Sequence, residues 1–203
     1  MHTKARIVVL AGLAATAAAI PVALFAFGEG DGESYRGSVP PAGISAPDFA
    51  LRDVEDELVR MGDLRGRVVL VTFLDAQCQD ACPLIASHLA DGLGRLTDEE
   101  RAEVVALGIS VDPDEDTPAA VRAFLARHGA EDALRYLVAP KRELRSVWED
   151  FQISASADTG IDDLHSAPVR IFDRDGVWVT TLHAGADLTP QNLVHDVRLA
   201  LES

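Results

Sequence analysis

Cysteine is scarce in this 203-residue chain: only Cys78 and Cys82 occur, so one disulfide is the most it can form. Positive charge is also in short supply. Eighteen Lys and Arg face thirty-three Asp and Glu, for a net charge of -15. No Lys/Arg stripe with interleaved aromatics offsets that balance, which argues against nucleic-acid binding. The sequence lacks G-x-S-x-G, H-E-x-x-H and any Gly-rich phosphate loop, the patterns of serine hydrolysis, zinc proteolysis and nucleotide binding. Asp112, Asp114, Glu115 and Asp116 cluster without the EF-hand pattern. They read as a solvated turn that lends negative charge to the start of the next helix. No internal repeat is present.

What is there begins with an apolar N-terminus. Lys4 and Arg6 precede an uncharged run from Ile7 to Phe27. About 20 apolar residues at 1.5 Å rise each span a hydrocarbon core of roughly 30 Å. Residues 1–27 therefore read as a membrane anchor with its basic flank in the cytoplasm and the rest of the chain across the membrane. Ala17-Ala18-Ala19 offers the competing reading, a cleaved signal peptide, but the apolar run continues past it. No cysteine near the end of the run supports a lipoprotein. Either way the remaining chain faces an oxidising compartment. Residues 28–45, rich in Gly, Ser, Pro and acids, read as a flexible linker.

A single domain is expected over residues 46–203, and with 48% hydrophobic residues a packed core is within reach. Two short apolar pieces, Phe49 to Leu51 and Leu58 to Arg60, suggest a hairpin. Val68 to Leu74 (VVLVTFL) and Val104 to Val111 (VVALGISV) are continuous apolar runs, as in strands buried on both faces. A helix is expected from about Cys82 to Leu96, with Ile85, Leu89, Leu93 and Leu96 inward. Thr97 and Glu100 spell a capping box, and Thr117-Pro118 and Thr189-Pro190 each start a helix. Asp173-Arg174-Asp175-Gly176 marks a hairpin turn between Val169 to Phe172 and Val177 to Leu182. The order β-β-β-α-β-α-β-α-β-β-α implies a three-layer α/β/α sandwich around a mixed sheet.

Cys78 and Cys82 fall where the first central strand gives way to a helix. Four-residue spacing on a helix puts both thiols on one side. The helix N-terminus favours thiolate, and paired thiolates are soft ligands suited to Cu(I) and to Zn. A plain structural disulfide is the competing reading. Strand-to-helix crevices are, however, where α/β sheets place their sites. His165, in the polar loop before Val169 to Phe172, reaches the same sheet end if that strand is central; a solvated loop histidine is the alternative. His88, His128, His183 and His195 read as surface or satisfied histidines.

These residues resemble the Sco/SenC copper-chaperone family, a branch of the thioredoxin-like superfamily. The matching pieces are APDF at Ala46 to Phe49, GRVVLVTF at Gly66 to Phe73 and C-x-x-x-C-P at Cys78 to Pro83. SVDPDEDTP at Ser110 to Pro118 and His165-Ser166 ahead of FDRDG complete the set. The resemblance implies a thioredoxin-like fold and copper held by Cys78, Cys82 and His165. It further implies delivery of copper or reducing equivalents to cytochrome c oxidase subunit II, from an anchored domain on the extracytoplasmic side of the cell membrane. The family's Thr-x-Cys-Pro-Asp is replaced here by Ala76-Gln77-Cys78-Gln79-Asp80. A thiol–disulfide oxidoreductase that cycles Cys78 and Cys82 without metal is the second reading, with a peroxidase and a stapled binding module behind it.

Overall fold

Residues 33–153 and 168–203 are described by the computed structural model and belong to one unit that runs from Glu33 to Ser203. Its strands are β1 (Ala50–Asp53), β2 (Leu58–Arg60), β3 (Val68–Leu74), β4 (Val104–Ser110), β5 (Arg135–Val138), β6 (Pro168–Phe172) and β7 (Trp178–His183). The helices are α1 (Ala81–Leu93), α2 (Asp98–Ala102), α3 (Pro118–Arg127), α4 (Lys141–Asp150) and α5 (Pro190–Glu202). The strands form one mixed sheet in the order β2-β1-β5-β4-β3-β6-β7. β3 pairs with β4, and β4 with β5, in parallel, while β6 runs antiparallel to β3.

All seven residues of β3 and all seven of β4 are buried, because helices cover both faces of the sheet. On one face Val68, Leu70 and Leu74 pack with Ile85 and Leu89 of α1, Phe124 of α3 and Leu193 and Val197 of α5. On the other, Val69, Val71 and Phe73 pack with Leu144, Trp148 and Phe151 of and after α4. Each such buried aliphatic side chain contributes about 2 kcal/mol by leaving water. This is the expected three-layer sandwich.

The helix starts agree with the capping signals. Thr97 and Glu100 form the reciprocal box, and Thr117 and Thr189 each accept an N-terminal amide hydrogen bond ahead of a proline. Helix α1 stops at Leu93, short of the expected Leu96, with Gly94 as its C-cap. After α4, Gln152 takes a left-handed φ of 54°. The Gln152 and Ile153 amides donate back to Glu149 and Trp148, which closes the helix in a Schellman turn. A glycine there avoids the Cβ penalty, so Gln152→Gly is expected to raise stability by roughly 0.5 kcal/mol in urea titration.

The supposed flexible linker needs correction from residue 33 onward. Ser38 bridges to Thr181 and Ser45 to Val177 on the outer edge of β7, and the Trp178 amide donates to Ile44. The amides of Arg36 and Gly37 donate to the fully buried carboxylate of Asp196 on α5, which also accepts from Thr180 Oγ1. Main-chain and charge-assisted hydrogen bonds hold a segment that has too little apolar surface to be held by packing. Asp196→Ala is expected to cost about 3 kcal/mol, and hydrogen exchange should show loss of protection at Arg36 and Gly37.

Among the described residues no helix is long and apolar enough to cross a membrane; the apolar run Ile7 to Phe27 lies outside them.

Candidate functional site

The chain leaves β3 at Leu74 and enters α1 at Ala81, and the turn between carries the first cysteine. Asp75 shapes that turn: its carboxylate accepts the Gln77 amide at 2.7 Å and its carbonyl accepts the Cys78 amide at 3.2 Å. The Asp75 amide in turn points at the Cys82 sulfur, 3.5 Å away. Cys82 occupies the first turn of α1 and is 7% exposed, whereas Cys78 is half-buried; both are free thiols. The N-cap, Asp80, makes no side-chain capping bond, so the first-turn amides remain available to a nearby anion.

The two sulfurs are in hydrogen-bond contact and their acidities are pushed apart. The Cys82 thiol donates to Cys78, and the Cys82 and Asp80 amides add to this against the opposing effect of burial. Cys78 is thereby lowered to about 6, a thiolate at neutral pH. Cys82 moves strongly upward, first because it serves as the donor to Cys78 and next because it is buried. The pair is a soft, electron-rich site with one anion already formed and a second thiol against it.

Beneath this turn lies a polar cluster around Asp116, an acid that the sequence pattern assigns to a solvated turn. Asp116 is 2% exposed. Its carboxylate accepts the Ala76 amide at 2.8 Å, the Ser110 hydroxyl at 2.6 Å and the Tyr136 hydroxyl at 2.8 Å. The Tyr136 oxygen also lies 2.8 Å from the Leu74 carbonyl, at the last residue of β3. Asp116 thus fixes the backbone two residues ahead of Cys78. The signal available in sequence was Tyr136, an aromatic in a buried strand whose hydroxyl needs an acceptor.

His165 lies outside the described residues, so its position relative to the thiols is not part of the observed geometry. The strand that follows it is central: β6 pairs with β3, with Val71 opposite Arg170. The antiparallel direction brings the start of β6, Pro168, toward the end of β3, where the cysteine turn begins. The other described histidines have partners. His88 Nδ1 is 2.8 Å from the Leu188 carbonyl, and His195 lies between Asp196 and Glu33. His183 faces Asp187, and His128 packs on Phe124. No cluster of three metal-binding side chains occurs among the described residues.

A model of the SCO1/SenC family matches residues 40–202 of this chain. The chain belongs to the SCO1/SenC family. Within it, the chain is 22% identical to the SCO2-like protein of Rickettsia felis over 153 residues, 72% of each chain. It is 27% identical to the SCO1 protein homolog of Bacillus subtilis over 88 residues, covering 43% of this chain and 45% of that one. Among solved Sco structures, copper-bound ScoI of Bradyrhizobium japonicum aligns with a TM-score of 0.64 and 28% identity. That alignment covers 78% of this chain and all of the other. BsSco, a Sco-family cytochrome c oxidase assembly protein with a disulfide switch, aligns with a TM-score of 0.67 and 21% identity. It covers 80% of this chain and 96% of that one. The thioredoxin-like Sco fold is therefore the fold of this chain.

Proposed function

We propose that this SCO1/SenC protein is an extracytoplasmic copper metallochaperone that carries the ion on Cys78, Cys82 and His165. What carries the reading is the Cys78–Cys82 pair at the start of α1, two free thiols in hydrogen-bond contact at a helix N-terminus. Copper is cargo here, and the donor set suits it. Two sulfurs satisfy the soft Cu(I) ion, and an imidazole adds a ligand that Cu(II) also accepts. His165 is three residues before Pro168, so the chain lets their Cα atoms lie at most about 11 Å apart. With β6 beside β3, that reach allows an imidazole to come to the cysteine end of the sheet. The copper-bound relative supports copper as the ion.

On this reading residues 1–27 anchor the domain in the membrane, and the recipient is the copper site of cytochrome c oxidase, the assembly task of BsSco. A second reading retains support from one feature, the lowered pKa of Cys78 beside the Cys82 thiol that donates to it. That is the pairing of an attacking thiolate with its resolving thiol in disulfide exchange.

Competition titration with a Cu(I) chelator separates them. The reduced protein is expected to bind one Cu(I), and His165→Ala to bind it roughly 100-fold more weakly, the upper end of outer-shell effects. Binding that is unchanged without His165 removes the three-ligand site, and failure to bind copper at all leaves disulfide exchange.

A further inference from the structure

Arg170, on β6, faces the α4 side of the sheet. Its guanidinium carbon sits 4.7 Å from the centre of the Trp178 ring and 5.7 Å from that of Phe151. It makes no hydrogen bond or ion pair among the described residues, and its buried Nε has no acceptor. Other partly buried arginines are provided for. Arg135 pairs with Asp53 and Glu57, Arg174 with Glu103, and Arg101 donates to the carbonyls of Val104 and Asp132. Burial lowers the Arg170 pKa, a cost that a carboxylate partner would remove.

Arg170 lines an open groove of about 430 Å³ whose walls include Val39, Pro40, Ile153 and Trp178. That volume lies in the range of small ligand sites, roughly 300–1,000 Å³. Among the described residues the lining contains no carboxylate, although the chain has 33 acids to 18 bases. Val39 is 65% exposed on one wall. A guanidinium stacked on aromatic faces, in a groove whose apolar walls are broken by Gln152, Thr181 and His183, matches a carboxylate flanked by apolar residues, because planar Arg binds carboxylate with two parallel hydrogen bonds. Two further lining residues, Ile153 and Pro168, flank residues 154–167, the stretch that includes His165.

We propose that the Arg170–Trp178 groove is a docking surface for a partner polypeptide, taking one acidic side chain carried between apolar residues. Only the partner's identity as a copper acceptor rests on the metallochaperone reading; the chemistry of the groove stands apart from it.

The test uses metal-free full-length protein and a blocked peptide, Ac-Leu-Pro-Glu-Phe-NH2, followed by the Trp178 indole signal in NMR. The Glu peptide is expected to bind about tenfold more tightly than its Gln counterpart, the factor one charge-assisted pair supports. Arg170→Met keeps the stem over Trp178 and should abolish that preference. Equal binding of the two peptides, or a preference that persists in Arg170→Met, overturns the proposal. So does sodium acetate competing as well as the peptide, which would make this a small-anion site. Tenfold stronger peptide binding in Asp162→Asn/Asp163→Asn also overturns it, since the chain's own segment would then be the occupant. Copper titration of Arg170→Met runs alongside. Copper binding without peptide preference sinks the groove alone, and the converse sinks the metal reading alone.

Discussion

Cys82→Ala is expected to move the alkylation midpoint of Cys78 from about pH 6 to the ordinary thiol range near 8.5. The Cys82 thiol is the largest contribution to the low value, and alanine can neither donate nor replace it. At pH 7 the thiolate fraction falls about 30-fold, from roughly nine-tenths to a few per cent. A pH series with iodoacetamide and mass detection reads this directly. A midpoint that stays near 6 would transfer the credit to the Cys82 and Asp80 amides. The same substitution removes a sulfur from the proposed copper site. Cu(I) is soft and Cys82 supplies one of only two sulfurs, so this loss is expected to weaken Cu(I) binding more than loss of the imidazole does, by about a thousandfold or more.

Asp116→Ala is expected to cost about 4 kcal/mol, a large share of the roughly 5–15 kcal/mol that holds a domain folded. Two buried donors, the Ala76 amide and the Ser110 hydroxyl, lose their acceptor at once, and the Tyr136 hydroxyl is left with the Leu74 carbonyl alone. Asp116→Asn keeps an acceptor for the Ala76 amide and should cost about half as much. The pair also predicts a pH effect. Burial raises the Asp116 pKa, although the three donors pull the other way. A raised carboxylate binds its proton more tightly folded than unfolded. Its contribution is full below the unfolded value, about 3.9, and is lost as pH climbs through the folded one. Asparagine does not titrate. Urea midpoints from pH 4 upward should therefore shift in favour of Asp116→Asn relative to wild type; parallel curves would show that the carboxylate is not raised.

Much of the fold was legible because its signals are local and agree. Val68 to Leu74 and Val104 to Ser110 are apolar without interruption, and threonine followed by proline starts α3 and α5. Cys78 and Cys82 were readable as a pair from their spacing at a strand-to-helix junction, although only Cys82 lies on α1 and Cys78 sits in the turn before it. Two features were not legible. Residues 33–45 look like a linker because what holds them is main-chain hydrogen bonding and one distant carboxylate, neither of which leaves a hydrophobic pattern. Asp116 sits in a run of acids, and its burial depends on Ser110 and Tyr136, which reach it only after β4 and β5 pair. In the groove beside β7, Arg170 interrupts an otherwise apolar strand. That its Nε has no hydrogen-bond partner among the described residues appears only once the surrounding side chains are placed.

The clasp of residues 38–45 on β7 has a practical consequence. β7 ends the sheet, and Ser38, Ile44 and Ser45 are bonded to its outer side. A domain trimmed to begin at Ala46 would bare a row of amides and carbonyls along β7, beside the half-buried Trp178. Such a row recruits strands from other molecules. The short form should therefore self-associate and come out of solution on storage, whereas a form that begins at Glu33 keeps its own cover and stays dispersed.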